Sequence, residues 1–323
     1  MQYWEIVTRS FTIAWRHKYL WLLAVFAGES GGGASFNYSS PYQPVGKGNN
    51  PPDFTNLPQQ VATWLSQNIG LLVAIGVVLL IVAIGFFILA AVCEGALVRG
   101  SAEHDANRPF GLRMAWRTGV STMGVIIRFR LLLIALTLPV AIVVAAIVGG
   151  LVFAILSHNY GLAAVLGFIG LVVFLAVFVF VLYLGFLDRL GTRAAVLEQV
   201  GARAALVRGH RLLTKRLGRV LLVWLLSIAV GIAVGICAAI VLAIVVIPIT
   251  VAGIAAYTTG SALFWAVVIV GTVIVLPIAL VVEGFINAQS STYWTLAFRR
   301  LETDQAPAYG YIPAAPPVSP SAS

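Results

Sequence analysis

Five long runs of apolar residues determine what this chain can fold into. They cover residues 69–98, 131–156, 162–187, 220–247 and 262–288, and each is long enough to cross about 30 Å of hydrocarbon as a helix. The chain is 60% hydrophobic and only 10% charged, whereas a soluble domain carries about 25% charged residues. With a mean hydropathy of +0.99, the sequence therefore predicts an all-α integral membrane protein.

A sixth span is predicted near the N-terminus. The apolar run 19–28 is too short to cross alone, but a helix that begins near Phe11 can span, with Arg16, His17 and Lys18 reaching back to the interface. A cleaved secretory signal peptide is the alternative, because a basic segment and a short apolar core precede small residues. The long amphipathic segment before the core favours the span.

Basic residues predict which side of the membrane each loop occupies. If the N-terminus is cytoplasmic, the basic segments 99–130 and 188–219 and both chain ends lie inside, and Lys47 is the only Lys or Arg outside. This predicts a multi-pass protein of the cell (inner) membrane with both termini in the cytoplasm. The same bias accounts for the net charge of +9, so no nucleic-acid partner is expected.

A weak internal repeat orders these segments. The triplets 14–16 (AWR), 115–117 (AWR) and 209–211 (GHR) each lie on an amphipathic segment that leads into two spans. The second span of each pair ends in a similar way, with EGAL at 94–97, LGFL at 184–187 and EGFI at 283–286. We therefore predict one domain, residues 1–301, of six transmembrane helices arranged as three helical hairpins. A basic amphipathic interfacial helix precedes each hairpin.

Two segments fall outside this pattern. Residues 29–67 are rich in Gly, Ser, Asn and Pro and are predicted to form an outer loop. Residues 302–323 are rich in Pro, Ala and Ser and are predicted to be a disordered cytoplasmic tail, which could recruit a protein partner.

The strongest candidate site residues lie near the cytoplasmic ends of two spans. Glu94 and Glu283 each precede a glycine at equivalent positions of the repeat, and Asn287 and Ser290 continue a polar stripe from Glu283. Carboxylates at membrane depth are costly and usually face a bundle interior. These four residues are either an intramembrane polar site or interfacial groups, with the glutamates paired to nearby arginines such as Arg99.

A second set of candidates lies in the segment 188–219, the richest block of charge in the chain. Its basic side chains could contact anionic lipid headgroups, each worth about 1 kcal/mol near the surface. The alternative is ordinary anchoring on the cytoplasmic side. The candidates are Arg208, Arg211, Lys215 and Arg216.

The sequence offers no recognised catalytic or metal-binding motif. It has no HExxH, no CxxC and no nucleophile elbow, and Cys93 and Cys237 both lie inside apolar runs. We therefore expect no enzyme activity, no metal and no cofactor.

Three features together resemble a known group of proteins. They are the early segment AWRHKYLWLL (14–23), the Gly-rich loop after it and the closing segment STYWTLAFRRL (291–301). Over about residues 3–301 the chain resembles prokaryotic polytopic proteins named after the membrane domain of glycerophosphodiester phosphodiesterase. That resemblance implies architecture only. The hydrolytic activity of such proteins belongs to a separate soluble domain with acidic metal ligands and catalytic histidines, which this sequence does not contain.

Two functions remain open at this stage. The first is a non-enzymatic membrane protein that organises the membrane or supports a complex, by contacting anionic lipid headgroups or a partner. The alternative is a transporter or permease for a small solute or ion, with its site between the second and sixth spans. The two differ in whether Glu94 and Glu283 face headgroup water with arginine partners or converge on a closed cavity.

Overall fold

The described part of the molecule is helical throughout. A computed structural model describes residues 3–27, 67–259 and 261–303, so the predicted outer loop and tail lie almost wholly outside the described residues. The all-α prediction is confirmed for these ranges. The helices are α1 (Tyr3–Arg16), α2 (Tyr19–Phe26), α3 (Ile69–Asp105), α4 (Leu112–Leu156), α5 (Tyr160–Leu197), α6 (Ala202–Lys215), α7 (Leu217–Thr259) and α8 (Ser261–Thr303).

Five of these helices are long and apolar enough to cross a membrane. They are α3, α4, α5, α7 and α8, and their most apolar stretches are almost entirely uncovered by other parts of the chain. Such surfaces need hydrocarbon around them. The predicted multi-pass membrane protein is confirmed at this level.

The sixth span is not confirmed. The helix expected from Phe11 onward is interrupted at His17 and Lys18, which separate α1 from α2. The Trp21 indole donates a hydrogen bond of 2.7 Å to the Ala14 carbonyl and bridges the interruption. With eight residues, α2 is about 12 Å long and cannot span alone.

The expected amphipathic helices form in the same way in the first and third units and differently in the second. α1 and α6 are separate amphipathic helices, as predicted. The amphipathic segment of the second unit is instead continuous with its span, in a helix of 45 residues. Residues 112–138 contain no proline, so no residue in that segment blocks the helix before the apolar run begins.

Two pairs of neighbouring spans pack side by side. α4 lies against α5, where a Cβ at Gly170 would be 3.4 Å from Ile147. α7 lies against α8, where a Cβ at Gly271 would be 2.5 Å from Ile249. The arrangement of three hairpins is not confirmed as a whole, because the first pair requires the sixth span, which the described residues do not confirm.

The buried core lies at one end of the bundle, which we call the basic end. It is formed by α1, α2, α6, the ends of α3, α5 and α8, and the beginnings of α4 and α7. Water reaches this end, so burying apolar groups there is favourable, whereas lipid around the spans is as apolar as the side chains. Buried residues include Ile6, Leu20, Leu97 and Trp294 in one cluster and Phe129, Leu190, Leu212 and Phe298 in a second.

A close helix crossing holds α3 against α4 at this end. A Cβ at Gly119 would lie 2.2 Å from the Val92 carbonyl oxygen, and a Cβ at Gly95 would lie 2.3 Å from Thr122 Oγ1. Only glycine allows the two backbones to approach this closely. The crossing fixes the position of α3 beside the candidate site.

Candidate functional site

A cavity of about 750 Å³ lies where the spans meet the basic end. Residues of α3, α5, α7 and α8 line it, and α5 and α7 face each other across it. The rings of Phe186 on α5 and Trp224 on α7 meet edge to face at 5.5 Å. The cavity therefore lies between the middle and last spans, with α3 completing its wall.

Charged side chains line the part of the cavity nearest the basic end. Glu94 is 2% exposed and Arg193 is 1% exposed, and Asp188 and Arg189 lie beside them. Buried charges are costly unless they are paired and hydrogen-bonded. Arg130 forms an ion pair with Glu94, and Arg193 donates a hydrogen bond of 2.6 Å to the Arg189 carbonyl.

The polar stripe of α8 forms another side of the same cavity. Asn287 and Ser290 both line it, so the structure brings these two predicted residues together with Glu94. Gln289 and Tyr293 also line the cavity, and each is tied to another helix. Gln289 donates a hydrogen bond of 3.2 Å to Ser10, and the Tyr293 hydroxyl donates one of 2.8 Å to the Val223 carbonyl.

Glu283 does not join this group. It lies one turn before Asn287 on the same side of α8 and is half-buried, but it does not line the cavity. Within the described ranges no side chain hydrogen-bonds or ion-pairs with it. The outcome is therefore mixed, because Glu94 faces a cavity and also has an arginine partner, whereas Glu283 has neither.

The part of the cavity farther from the basic end is apolar. Val181, Leu182, Ile228 and Ile232 line it. Gly231 lies among them, and a Cβ added there would meet nothing within 4 Å. This glycine therefore leaves the cavity open and does not mediate a close helix contact.

Sequence reasoning missed Arg193, the most deeply buried charged group of the site. It attributed every basic residue of the segment 188–219 to the cytoplasmic surface. One signal was available: Arg193 follows Arg189 by four residues, so both lie on the helix face that continues the apolar run of α5.

The four predicted headgroup contacts differ in how exposed they are and in whether they have a partner within the protein. Arg208 donates hydrogen bonds to Glu302 at 2.8 Å and to Glu198 at 3.2 Å, so its charge is compensated within the protein. Burial, and then the charge of Glu302, raise the pKa of Glu198 above its usual value. Arg216 is half-buried, whereas Arg211 and Lys215 are exposed and remain the better placed for lipid phosphates.

A network of ion pairs fastens α1 to the basic end. Asp105, the last residue of α3, accepts hydrogen bonds of 2.6 Å from both Arg9 and Arg299. Arg300 pairs with Glu5 at 3.1 Å. The first helix is thus held against the ends of α3 and α8.

Two histidines stack beside this network. The rings of His17 and His104 are 3.5 Å apart and almost parallel, and the Tyr19 hydroxyl lies 2.7 Å from His104 Nε2. Parallel rings do not direct their nitrogens to one point. Among the described residues no three His, Cys, Asp or Glu side chains are grouped so as to hold a metal ion.

Comparison with known proteins gives a family for the chain. Residues 7–303 match DUF7544, a family of unknown function. The chain belongs to this family. In comparisons with curated proteins and with solved structures, nothing matches. The DUF7544 match begins within α1 and extends to the end of α8, so it covers nearly all of the described helices. Its description names no activity, and the resemblance to the phosphodiesterase membrane domain stays a prediction.

Proposed function

We propose that this protein is a non-enzymatic membrane protein that binds a membrane lipid in the cavity between α5, α7 and α8. The lipid headgroup occupies the charged part near Glu94 and Arg193, and an acyl chain follows the apolar part near Leu182 and Ile232. One observation carries the proposal, which is the change from charged to apolar lining along a single cavity.

The dimensions of the cavity fit a molecule with two different ends. The lining of α5 extends from Val181 to Arg193, a rise of about 18 Å along the helix. A purely polar solute would leave the apolar half without a partner. A purely apolar molecule would cover the charged groups without replacing their water.

The basic end is assigned to the cytoplasmic side. The bias of Lys and Arg toward that side supports this orientation, and it gives a cell-membrane protein with both termini inside. The bound headgroup then belongs to the inner leaflet. The exposed Arg211 and Lys215 add an attraction for anionic headgroups of about 1 kcal/mol each.

Filling the cavity tests the proposal. Gly231→Leu places an apolar side chain in open space inside the cavity, and Gly235→Leu, one turn later on α7, places the same side chain where it does not line the cavity. Native mass spectrometry of protein purified in mild detergent should show bound phospholipid in the wild type and in Gly235→Leu. Gly231→Leu should lose the one phospholipid per chain that this cavity holds. Equal retention in all three proteins contradicts the proposal.

A transporter for a small solute or ion is the second candidate. Glu94, Asn287 and Ser290 converge between α3 and α8, which are the second and sixth spans of the predicted topology. This is where the transporter hypothesis expects a solute site. Flux of ions and of small polar solutes into proteoliposomes tests it. Flux that Gly231→Leu stops and Gly235→Leu leaves unchanged would favour transport. Absence of flux in the wild type counts against it.

A further inference from the structure

A second cavity, of about 490 Å³, lies between α2 and the first turns of α4. Leu23 and Cys93 form its floor and are each 1% exposed, and Phe26, Leu89 and Trp116 form its sides. Cys93 and Glu94 are neighbours on α3, but successive side chains of a helix point about 100° apart. The two cavities therefore lie on different sides of α3, and we call this one the α2–α4 groove.

One charged residue lines the α2–α4 groove. Arg113, in the first turn of α4, is exposed, and within the described ranges it makes no hydrogen bond or ion pair. Trp116 shares the groove with it and is 45% exposed. Tryptophan beside arginine at the end of an apolar surface is typical of the boundary between hydrocarbon and headgroups.

We propose that the α2–α4 groove holds one acyl chain of an anionic phospholipid, whose phosphate is bound by Arg113. The chain covers the apolar floor and sides, and the guanidinium donates charge-assisted hydrogen bonds to the phosphate. An apolar helix of a partner protein fits less well. Such a helix would cover the groove but would leave the Arg113 charge without a partner.

The groove offers a matched pair of variants. Arg113 and Arg117 are both exposed arginines of α4, one turn apart, and only Arg113 lines the groove. Arg113→Gln and Arg117→Gln therefore remove the same charge from the same helix. Because both positions are exposed, neither change disturbs the packed core.

The experiment measures retention of phosphatidylglycerol. The full chain is reconstituted in nanodiscs of phosphatidylglycerol and phosphatidylcholine and transferred to detergent, and bound lipid is counted by native mass spectrometry. Arg113→Gln should retain about five-fold less phosphatidylglycerol than the wild type, and Arg117→Gln should retain as much as the wild type. In a Gly231→Leu background, where the other cavity is filled, Arg113→Gln should still lower retention and Arg117→Gln should not, so the proposal can fail or succeed independently of the proposed function.

Three results would overturn the proposal. One is equal loss in Arg113→Gln and Arg117→Gln, which would mean that only surface charge attracts the lipid. Another is displacement of the lipid by soluble glycerol phosphate, which has a phosphate but no chain to fill the groove. The third is wild-type protein that retains no phosphatidylglycerol and instead carries a stoichiometric protein partner.

Discussion

Glu94 is the residue whose environment most distinguishes this molecule from a passive bundle. It is 2% exposed and its carboxylate is neutralised by Arg130 on the crossing helix. Removing one member of a buried pair leaves the other charge desolvated, which typically costs about 3–5 kcal/mol. The thermal unfolding temperature of Glu94→Gln, measured in detergent, should therefore lie clearly below that of the wild type.

Glu283→Gln is the matched control for Glu94→Gln. Glu283 is half-buried and has no charged partner among the described residues, so this change should leave the unfolding temperature near that of the wild type. Similar unfolding temperatures for the two variants would show that the pair with Arg130 contributes little.

We expect the packing of the N-terminal helix to depend on pH through His17. Burial, and then the charge of Arg16, lower the pKa of His17 below its usual value of 6.5. The folded state therefore prefers the neutral ring, and stability that is present above pH 6.5 is lost as the pH falls below that value. Amide hydrogen exchange in α1 should be faster near pH 5.5 than near pH 7.5 after correction for the intrinsic rate.

Two variants separate this effect from general acid sensitivity. His17→Phe keeps an aromatic ring against His104 without a titrating group, and should reduce the pH dependence in α1. His158→Gln changes an exposed histidine in the connection between α4 and α5 and should keep the wild-type dependence. Unchanged pH dependence in His17→Phe would assign the effect to another group.

Sequence reasoning at the residue scale located three polar residues that line the cavity, misplaced Glu283 and overlooked the buried arginine. Glu94, Asn287 and Ser290 stand out because polar residues are rare in apolar runs, and all three line the cavity. Arg193 does not stand out, because a basic residue just past an apolar run is what any cytoplasmic boundary contains. Its burial depends on contacts with other helices, such as the Ser291 carbonyl of α8, which one-dimensional spacing does not report.

At the scale of elements, the crossing of α3 and α4 is the contact most sensitive to a single methyl group. A Cβ at Gly119 would lie 2.2 Å from a backbone oxygen, which no side-chain rotation can relieve. Gly119→Ala should therefore separate the helices and cost about 1–3 kcal/mol in unfolding by denaturant.

Gly124→Ala is the control on the same helix. A Cβ there meets nothing within 4 Å, so only helix propensity changes, and that favours alanine by about 1 kcal/mol. Gly124→Ala should be as stable as the wild type or slightly more stable. A loss of stability in Gly124→Ala as large as that in Gly119→Ala would contradict the steric explanation.

The helices themselves were largely predictable, and their ends were not. Hydropathy located the five spans, because a run of about 20 apolar residues has few alternatives. It did not show that α3 continues past Val98 to Asp105, because those residues form a packed and ion-paired end outside the apolar run. It also did not show the interruption at His17, which Trp21 and His104 stabilise through tertiary contacts.

At the scale of the whole molecule, Asp105 joins the first helix to the last. It accepts hydrogen bonds from Arg9 on α1 and Arg299 on α8, and hydrogen bonds to charged groups contribute about 1.5–3 kcal/mol each. Asp105→Asn should weaken both and increase hydrogen exchange throughout α1. Glu103→Gln is the control, because Glu103 pairs with Arg99 and Arg108 and not with α1. Equal exchange in the two variants would contradict this role of Asp105.

The ion pairs at the basic end also make a prediction about topology. Glu5 pairs with Arg300, so both ends of the described chain lie on one side of the membrane, and we expect that side to be the cytoplasm. In a Cys237→Ser background, a membrane-impermeant maleimide should label the His158→Cys variant in intact cells. The Thr8→Cys variant should be labelled only after permeabilisation. The reverse pattern would invert the orientation.

The uncovered spans divide this protein into two parts that are held together in different ways. Ion pairs such as Arg299–Asp105 and buried apolar clusters fasten the basic end, whereas the spans beyond it pack mainly as the pairs α4–α5 and α7–α8.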